Sequence, residues 1–413
     1  MNRLKRTLAA VTAALVCTMG TPAILPELTD TVTMTASANY EYGNLKYALD
    51  AEGAIFISGC DESVEVLEIP AEIDGKAVVG IEGGAFSDCT SLTSVTIPES
   101  VTQIGNNAFC GCTSLTSITI PEGVTEIGNS AFTSCTSLES ITIPKSVTKI
   151  NRGTFKGCTS LTSITIPEGV TEIGEFAFFD CISLMSATIP ESVTKIGERA
   201  FSHCTSLTSI MIPKSVTEIY EGAFYGCTSL TSITIPEGVT RIDSRAFSGC
   251  TSLPSIEVDS GNKHYTSEDG VLFSKDKSRL VCFPGRKEGA YVIPESVKEI
   301  DYYAFSDCIG LTSITIPESA TNIDYGVFCG CTSLTSIEVD SGNENFVSED
   351  GVLFSKDKSK LICCPSRKEG TYVIPESVKE IDYYAFSDCT SMTNKTIPES
   401  VTEISGWAFT GCT

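Results

Sequence analysis

Histidine and tryptophan are nearly missing, with two and one respectively in 413 residues. With so few histidines, no Ser-His-Asp order or Cys-His pair can be assembled and no histidine-built zinc site is available. Basic charge is also scarce. Lysine and arginine total 28 against 52 acidic residues, a formal charge of −24. That balance argues against nucleic acid or an anionic membrane surface as a partner. Beyond the N-terminus no stretch has the length or apolarity of a membrane-spanning helix.

The N-terminus differs in composition. Arg3, Lys5 and Arg6 precede the apolar run Leu8–Met19, and Ala36-Ser37-Ala38 supplies small residues at a cleavage site. Residues 1–38 read as a secretory signal peptide, with a cut near Ala23 as the alternative. The run is short for a membrane anchor. The valine before Cys17 argues against lipidation, so Cys17 leaves with the signal. After cleavage the chain is expected to be secreted or displayed at the cell surface, with no membrane insertion, and to be a monomer.

Cysteine is abundant, and its placement is regular. Cys89, Cys112, Cys135, Cys158, Cys181, Cys204, Cys227 and Cys250 each follow the last by 23 residues. A fixed period of this length marks a solenoid, in which no coil can bury its apolar side alone. The copy Thr113–Cys135 explains itself physically. Leu115, Ile118 and Ile120 line one side of an extended segment, with Ser117 and Thr119 on the other. Pro121 ends the strand because it has no N–H for a ladder. Val124 and Ile127 re-enter the core. Ala131, Phe132 and Cys135 have the spacing of one helical turn after the Gly128-Asn129-Ser130 turn and cap.

Residues 39–88 do not follow the 23-residue rule. Their apolar–polar alternation predicts a small β cap over the first coil, shielding its core and strand edge. Regular repeats occupy 89–250. In 251–413 the repeats carry two inserts, about 255–308 and 336–389, offset from each other by 81 residues. Each insert contains a hairpin signature: Gly270-Val271-Leu272-Phe273 with Leu280-Val281-Cys282-Phe283, and Gly351-Val352-Leu353-Phe354 with Leu361-Ile362-Cys363-Cys364. Such insertions are expected to project from one side of the solenoid.

The pattern Leu-x-x-Ile-x-Ile-Pro-x-x-Val-x-x-Ile-x-x-x-Ala-Phe-x-x-Cys resembles the BspA-like leucine-rich repeat of bacterial secreted and surface proteins. Ile73-Asp74-Gly75-Lys76 and Asp269-Gly270-Val271-Leu272-Phe273 resemble that family too. The expected fold is a mainly β, leucine-rich-repeat solenoid. It is a right-handed superhelix with a parallel sheet on one side and short helices on the other, plus two hairpin-bearing insert repeats. The resemblance implies a ligand-binding or adhesive surface protein without catalysis or cofactor, but fold alone does not fix function.

The residues themselves offer few sites. His203, before Cys204, and His264, in a polar turn, read as exposed surface residues. A secreted chain permits disulfides, but the ladder cysteines replace apolar residues and read as buried thiols in preference to bridges, because free cysteine behaves as a small hydrophobe. Glu268-Asp269 and Glu349-Asp350, near Asp259 and Asp340, lack the alternating spacing of a calcium loop and read as solvated turns. One variable slot, before the ladder cysteine, concentrates aromatics: Phe176, Phe179, Tyr220, Tyr225, Tyr302, Tyr303, Tyr325, Tyr383, Tyr384 and Trp407. Either these face outward and anchor a partner, or they pack against the adjacent coil.

Three functions compete. The leading one is a binding module for an extracellular protein or glycan. The second is a structural spacer. The third is ice or crystal-surface binding through the repeated Ser-x-Thr, an array that Met211, Glu257 and Glu338 interrupt.

Overall fold

The computed structural model describes residues 40–412, so the stretch read as a signal peptide lies outside the described residues. Each regular coil contributes two short strands to two separate ladders. The first ladder holds Ser94–Thr96, Ser117–Thr119 and Ser140–Thr142 in parallel register, Ile118 opposite Val95 and Ile141. The second ladder is built from the short apolar segment: Lys149–Ile150, Glu172–Ile173, Lys195–Ile196, Glu218–Ile219 and Arg241–Ile242 pair in sequence. The first ladder runs in groups of strands rather than as one unbroken sheet. A three-residue strand makes so few bonds that one lengthened bond ends a group.

The interior is what the repeat requires. Ile118, Ile120, Val124, Ile127, Phe132, Cys135 and Leu138 are all buried. Burial contributes about 1.5–3 kcal/mol for each large aliphatic or aromatic side chain. The phenylalanines form a continuous stack from Phe86 to Phe247, with centroids 5.0–5.7 Å apart. The ladder thiols from Cys112 to Cys250 each reach back one coil, as where Cys112 Sγ donates to the Phe86 carbonyl at 3.0 Å and Cys135 Sγ to that of Phe109 at 3.1 Å. Threonine recurs after the valine because its hydroxyl does the same, as in Thr217 Oγ1 to the Thr194 carbonyl at 3.2 Å.

The short helices expected opposite the sheet do not form: no residue described is helical. The reason lies in where the amides go. Ala131, Thr133 and Cys135 donate within the coil to the third residue back, to Gly128, Ser130 and Phe132. The intervening Ser130, Phe132 and Ser134 donate instead to Arg152, Thr154 and Lys156 of the next coil, at 2.7–2.9 Å. This alternation replaces the i−4 bonds of a helix with a third set of bonds between coils. It requires left-handed residues at Ser130 (φ 56°) and Ser134 (φ 59°).

Tyr40–Tyr42, Leu45–Leu49 and Ile55–Cys60 form an antiparallel meander, whose last strand pairs parallel to Lys76–Ile81 and starts the second ladder. The inserts differ from expectation, because their hairpins are woven into the solenoid rather than projecting from it. Tyr265–Glu268, Val271–Ser274 and Arg279–Cys282 form a meander whose final strand joins the second ladder, Leu280 opposite Ile300. Val271, Leu272, Phe273 and Leu280 are fully buried. Within Val271–Cys282 only the hairpin tip, Lys275 and Asp276, is exposed. Buried Asn262 ties the insert down: its Nδ2 donates to the Pro236 and Val239 carbonyls at 2.8 and 3.0 Å, and its Oδ1 accepts from the amides of His264 and Tyr265. Asn343 repeats the arrangement in the second insert.

Candidate binding surface

The loop before each ladder cysteine places one residue at positive φ, five positions ahead of the cysteine. Gly153, Gly222 and Gly326 occupy it at φ 60–69°, and Asn107 and Ser130 at 56–57°. Phe176 (55°), Tyr303 (58°), Tyr384 (58°) and Trp407 (54°) occupy the same slot. A bulky side chain in this conformation costs about 1–2 kcal/mol relative to a right-handed one. Such outliers persist where packing or function holds them.

These loops stack along the solenoid, and their rings meet. Phe176 packs on Phe179, Phe179 on His203 and His203 on Tyr225, with centroids 5.1–5.6 Å apart. The Arg245 guanidinium lies 5.9 Å from the Tyr225 ring and 3.4 Å from that of Tyr303. Tyr303 then meets Tyr325 and Tyr384 at 5.8 and 5.9 Å. Tyr325 also contacts Tyr302 and Tyr383, and Tyr384 stacks on Trp407 at 5.7 Å. The result is one aromatic ribbon from Phe176 to Trp407.

Nine of the ten aromatics picked out in the sequence share this ribbon. Tyr220 stands aside: its hydroxyl donates to Glu218 at 2.6 Å and Arg241 lies 5.0 Å above its ring. The ten residues differ in exposure. Tyr303, 7 % exposed, braces the loops, while Tyr302, Tyr325, Tyr383 and Trp407 present 41–67 % of their surface. Phe176, Phe179, Tyr225 and Tyr384 are half-buried. His203 is no plain surface residue, since its ring is wedged edge-on between Phe179 and Tyr225. His264 is exposed, as its polar turn implied.

The cations were missed in the sequence. Arg152, Lys156 and Arg199 lie 5.3–5.9 Å from the Phe176 ring, and Lys156 also caps Phe179. They are scattered among acidic neighbours, and only the stacking of coils gathers them. Arg245 Nε is buried and has no hydrogen-bond partner among the described residues. Its guanidinium is stabilised by the Tyr303 face instead, a contact worth more when desolvated. Burial pushes the Tyr303 hydroxyl and the nearby Asp307 carboxyl above their usual ranges, and Arg245 opposes both shifts. Elsewhere Met211 is the most exposed apolar residue, at 82 %, on the strand face.

Exposed tyrosine and tryptophan beside arginine is the composition of protein-binding hot spots, where large rigid rings desolvate at low entropy cost. Among the described residues no cluster of three or more His, Cys, Asp or Glu is placed to hold a metal.

Comparison with known proteins places the chain. The BspA type Leucine rich repeat region matches in six copies, over residues 79–205, 171–275, 281–365 and 366–413. A leucine rich cell surface protein from Faecalibacterium prausnitzii A2-165 is similar at 32 % identity, over 92 % of this chain and 93 % of that one, with a TM-score of 0.64. A leucine-rich repeat protein from Bacteroides ovatus is similar at 26 % identity, over 90 % and 92 %, with a TM-score of 0.56. No curated protein matches. With the repeat profile spanning most of its length, the chain belongs to the BspA-type leucine-rich repeat family.

Proposed function

We propose that this chain is an extracellular binding protein that engages a protein partner through the aromatic ribbon of its loop face and performs no catalysis. The observation that carries the reading is the ring-to-ring contact of exposed Tyr302, Tyr325 and Tyr383, to which exposed Trp407 is joined through Tyr384 and Tyr303. Preformed aromatic area costs little entropy to bury, and the bracing beneath it keeps the rings fixed. Likeness to a cell surface protein and the charge pattern of the N-terminus both support an extracellular setting.

The test replaces Tyr302, Tyr325, Tyr383 and Trp407 with serine and leaves Tyr303 and Tyr384 in place. Residues 39–413 of both versions are passed over a panel of extracellular-matrix and host-surface proteins and a parallel glycan panel. The expected result is retention of a protein by the wild type and its loss in a variant with unchanged circular dichroism. Equal retention by both removes the ribbon as the site. Retention on glycans alone replaces the protein partner with a carbohydrate, and retention of nothing favours a spacer.

A further inference from the structure

Three coils of this solenoid are short on the loop side, and cysteine is used differently in them. In regular coils the stacked phenylalanine follows the second-ladder isoleucine by five positions, as in Ile104 and Phe109 or Ile127 and Phe132. Ile57, Leu280 and Leu361 are the equivalents in the short coils, paired with Ile81, Ile300 and Ile381. Three positions after them stand Cys60, Phe283 and Cys364. Phe283 does what a stack residue does and lies 4.9 Å from Phe305. Cys60 and Cys364 put a sulfur in that place, and each then meets the ladder cysteine of the next coil. Cys60 Sγ lies 3.8 Å from Cys89 Sγ. At the second insert the Cys389 thiol donates to the Cys364 and Pro365 carbonyls, each at 3.7 Å.

The regular ladder offers no such pairs, because its sulfurs are engaged by carbonyls. Cys112, Cys135, Cys158, Cys181, Cys204, Cys227 and Cys250 each donate to the phenylalanine carbonyl 26 residues back, at 3.0–3.3 Å. Cys89 has no such phenylalanine behind it, because the cap supplies Cys60 instead. We propose that Cys60 and Cys89 form a disulfide that staples the N-terminal cap to the first regular coil.

Closing the pair brings two sulfurs from 3.8 Å to bonding distance, about 2.0 Å. Both residues are 4–6 % exposed, and Cys60 lines an open surface depression with Lys46 and Asp61. One thiol of the pair donates to the other, and the contact with Cys60 lowers the Cys89 pKa against the opposing effect of burial, with Lys46 adding to the lowering. The oxidant is a small disulfide such as oxidised glutathione, entering by the depression. The Cys89 thiolate attacks one of its sulfurs, breaking that S–S bond and releasing one thiolate. Cys60 loses its proton to solvent and attacks Cys89 Sγ, expelling the second thiolate. Two protein thiols are oxidised and one small disulfide is reduced to two thiols.

The test uses residues 39–413, fully reduced, then equilibrated with oxidised glutathione, alkylated in denaturant without reduction, and mapped by mass spectrometry. A cross-linked peptide joining Cys60 to Cys89 is expected, with Cys112 to Cys250 alkylated. Oxidation is expected to raise the thermal midpoint of the wild type and not that of Cys60→Ser, with Cys112→Ser as a folded control that keeps the bridge. Cys89 alkylated together with Cys60, a persistent glutathione adduct on either, or bridges within the regular ladder would overturn the proposal.

Discussion

The regular coils and the insert coils solve the same packing problem differently. Coils from Cys89 to Cys250 repeat one design, and the loop of each touches the loop of the next. An insert coil keeps both ladders but drops its outer loop, running from Phe283 to Pro284 and straight on to Gly289–Val292. The loops on either side then close over it. Ser248 Oγ donates to the Tyr303 carbonyl at 3.3 Å and Arg245 covers the Tyr303 ring, although 55 residues separate Ser248 from Tyr303. Tyr325 and Tyr383 meet in the same way at 5.4 Å across the second insert. Omitting a loop therefore concentrates the ribbon. The projecting feature expected of an insertion is replaced by a closer approach of its neighbours.

The comparison is broken most strongly from the regular side. Phe132→Ala opens a gap in the middle of the stack, between Phe109 and Phe155 at 5.3 and 5.7 Å. A loss of about 3–5 kcal/mol is expected, read from urea unfolding. If the insert design is as integrated as its burial implies, Asn262→Ala should come close behind. It leaves the Pro236 and Val239 carbonyls and two amides without their partner. Roughly 2–3 kcal/mol is expected. A loss below 0.5 kcal/mol, within the range of ordinary surface substitutions, would show the hairpin to be a detachable ornament.

The inserts can also be set against each other. Asp301 has Arg279 at 3.5 Å, whereas its counterpart Asp382 has Lys360 at 3.1 Å. Burial, opposed by Arg279, pushes the Asp301 carboxyl up to about 6 from 3.8. The native state then binds more protons than the unfolded chain between these values. Its contribution to stability is fully present below pH 3.8 and is lost as pH rises through 6. Asp301→Asn should remove that slope and stabilise the protein at pH 7 by up to about 2 kcal/mol. Denaturant midpoints at pH 4, 5, 6 and 7 for both proteins check it; parallel curves would refute it. Smaller again is Cys135→Ala, a truncation in the ladder expected to cost about 1 kcal/mol without change of fold, in the same urea assay.

Much of the fold was legible because packing forces repetition. Ile118, Val124, Phe132 and Leu138 recur at fixed phase since each coil must bury the same face, and all four are buried. The loop conformation was not legible. Ala131, Phe132 and Cys135 have helical spacing, but spacing does not say whether an amide bonds back along its own chain or across to the next coil. A signal did exist: glycine at 153, 222 and 326 alternates with aromatics at 176, 303, 384 and 407 in one slot. Glycine there marks positive φ, so the aromatics that share the slot carry strain. The ribbon's membership was visible as a variable slot, but its continuity through His203 and Arg245 depends on loops brought together by stacking and by the missing insert loops.

That strain gives the smallest and most discriminating prediction. Trp407 has φ 54° and is 67 % exposed, with its ring stacked on Tyr384 at 5.7 Å. In Trp407→Gly, glycine adopts the left-handed conformation without the penalty of about 1–2 kcal/mol borne by an L side chain. The lost ring stack gives back about 0.5–1.5 kcal/mol. The two terms nearly cancel, so the thermal midpoint should hardly move. Tyr303→Gly relieves the same kind of strain at φ 58° but removes a ring that is 7 % exposed and carries Arg245 on its face. It should destabilise clearly, because the buried guanidinium loses its partner. If Trp407 serves binding and Tyr303 serves bracing, Trp407→Gly weakens retention of the partner at constant stability. Equal destabilisation by both changes would mean that the exposed rings, too, are held for packing alone.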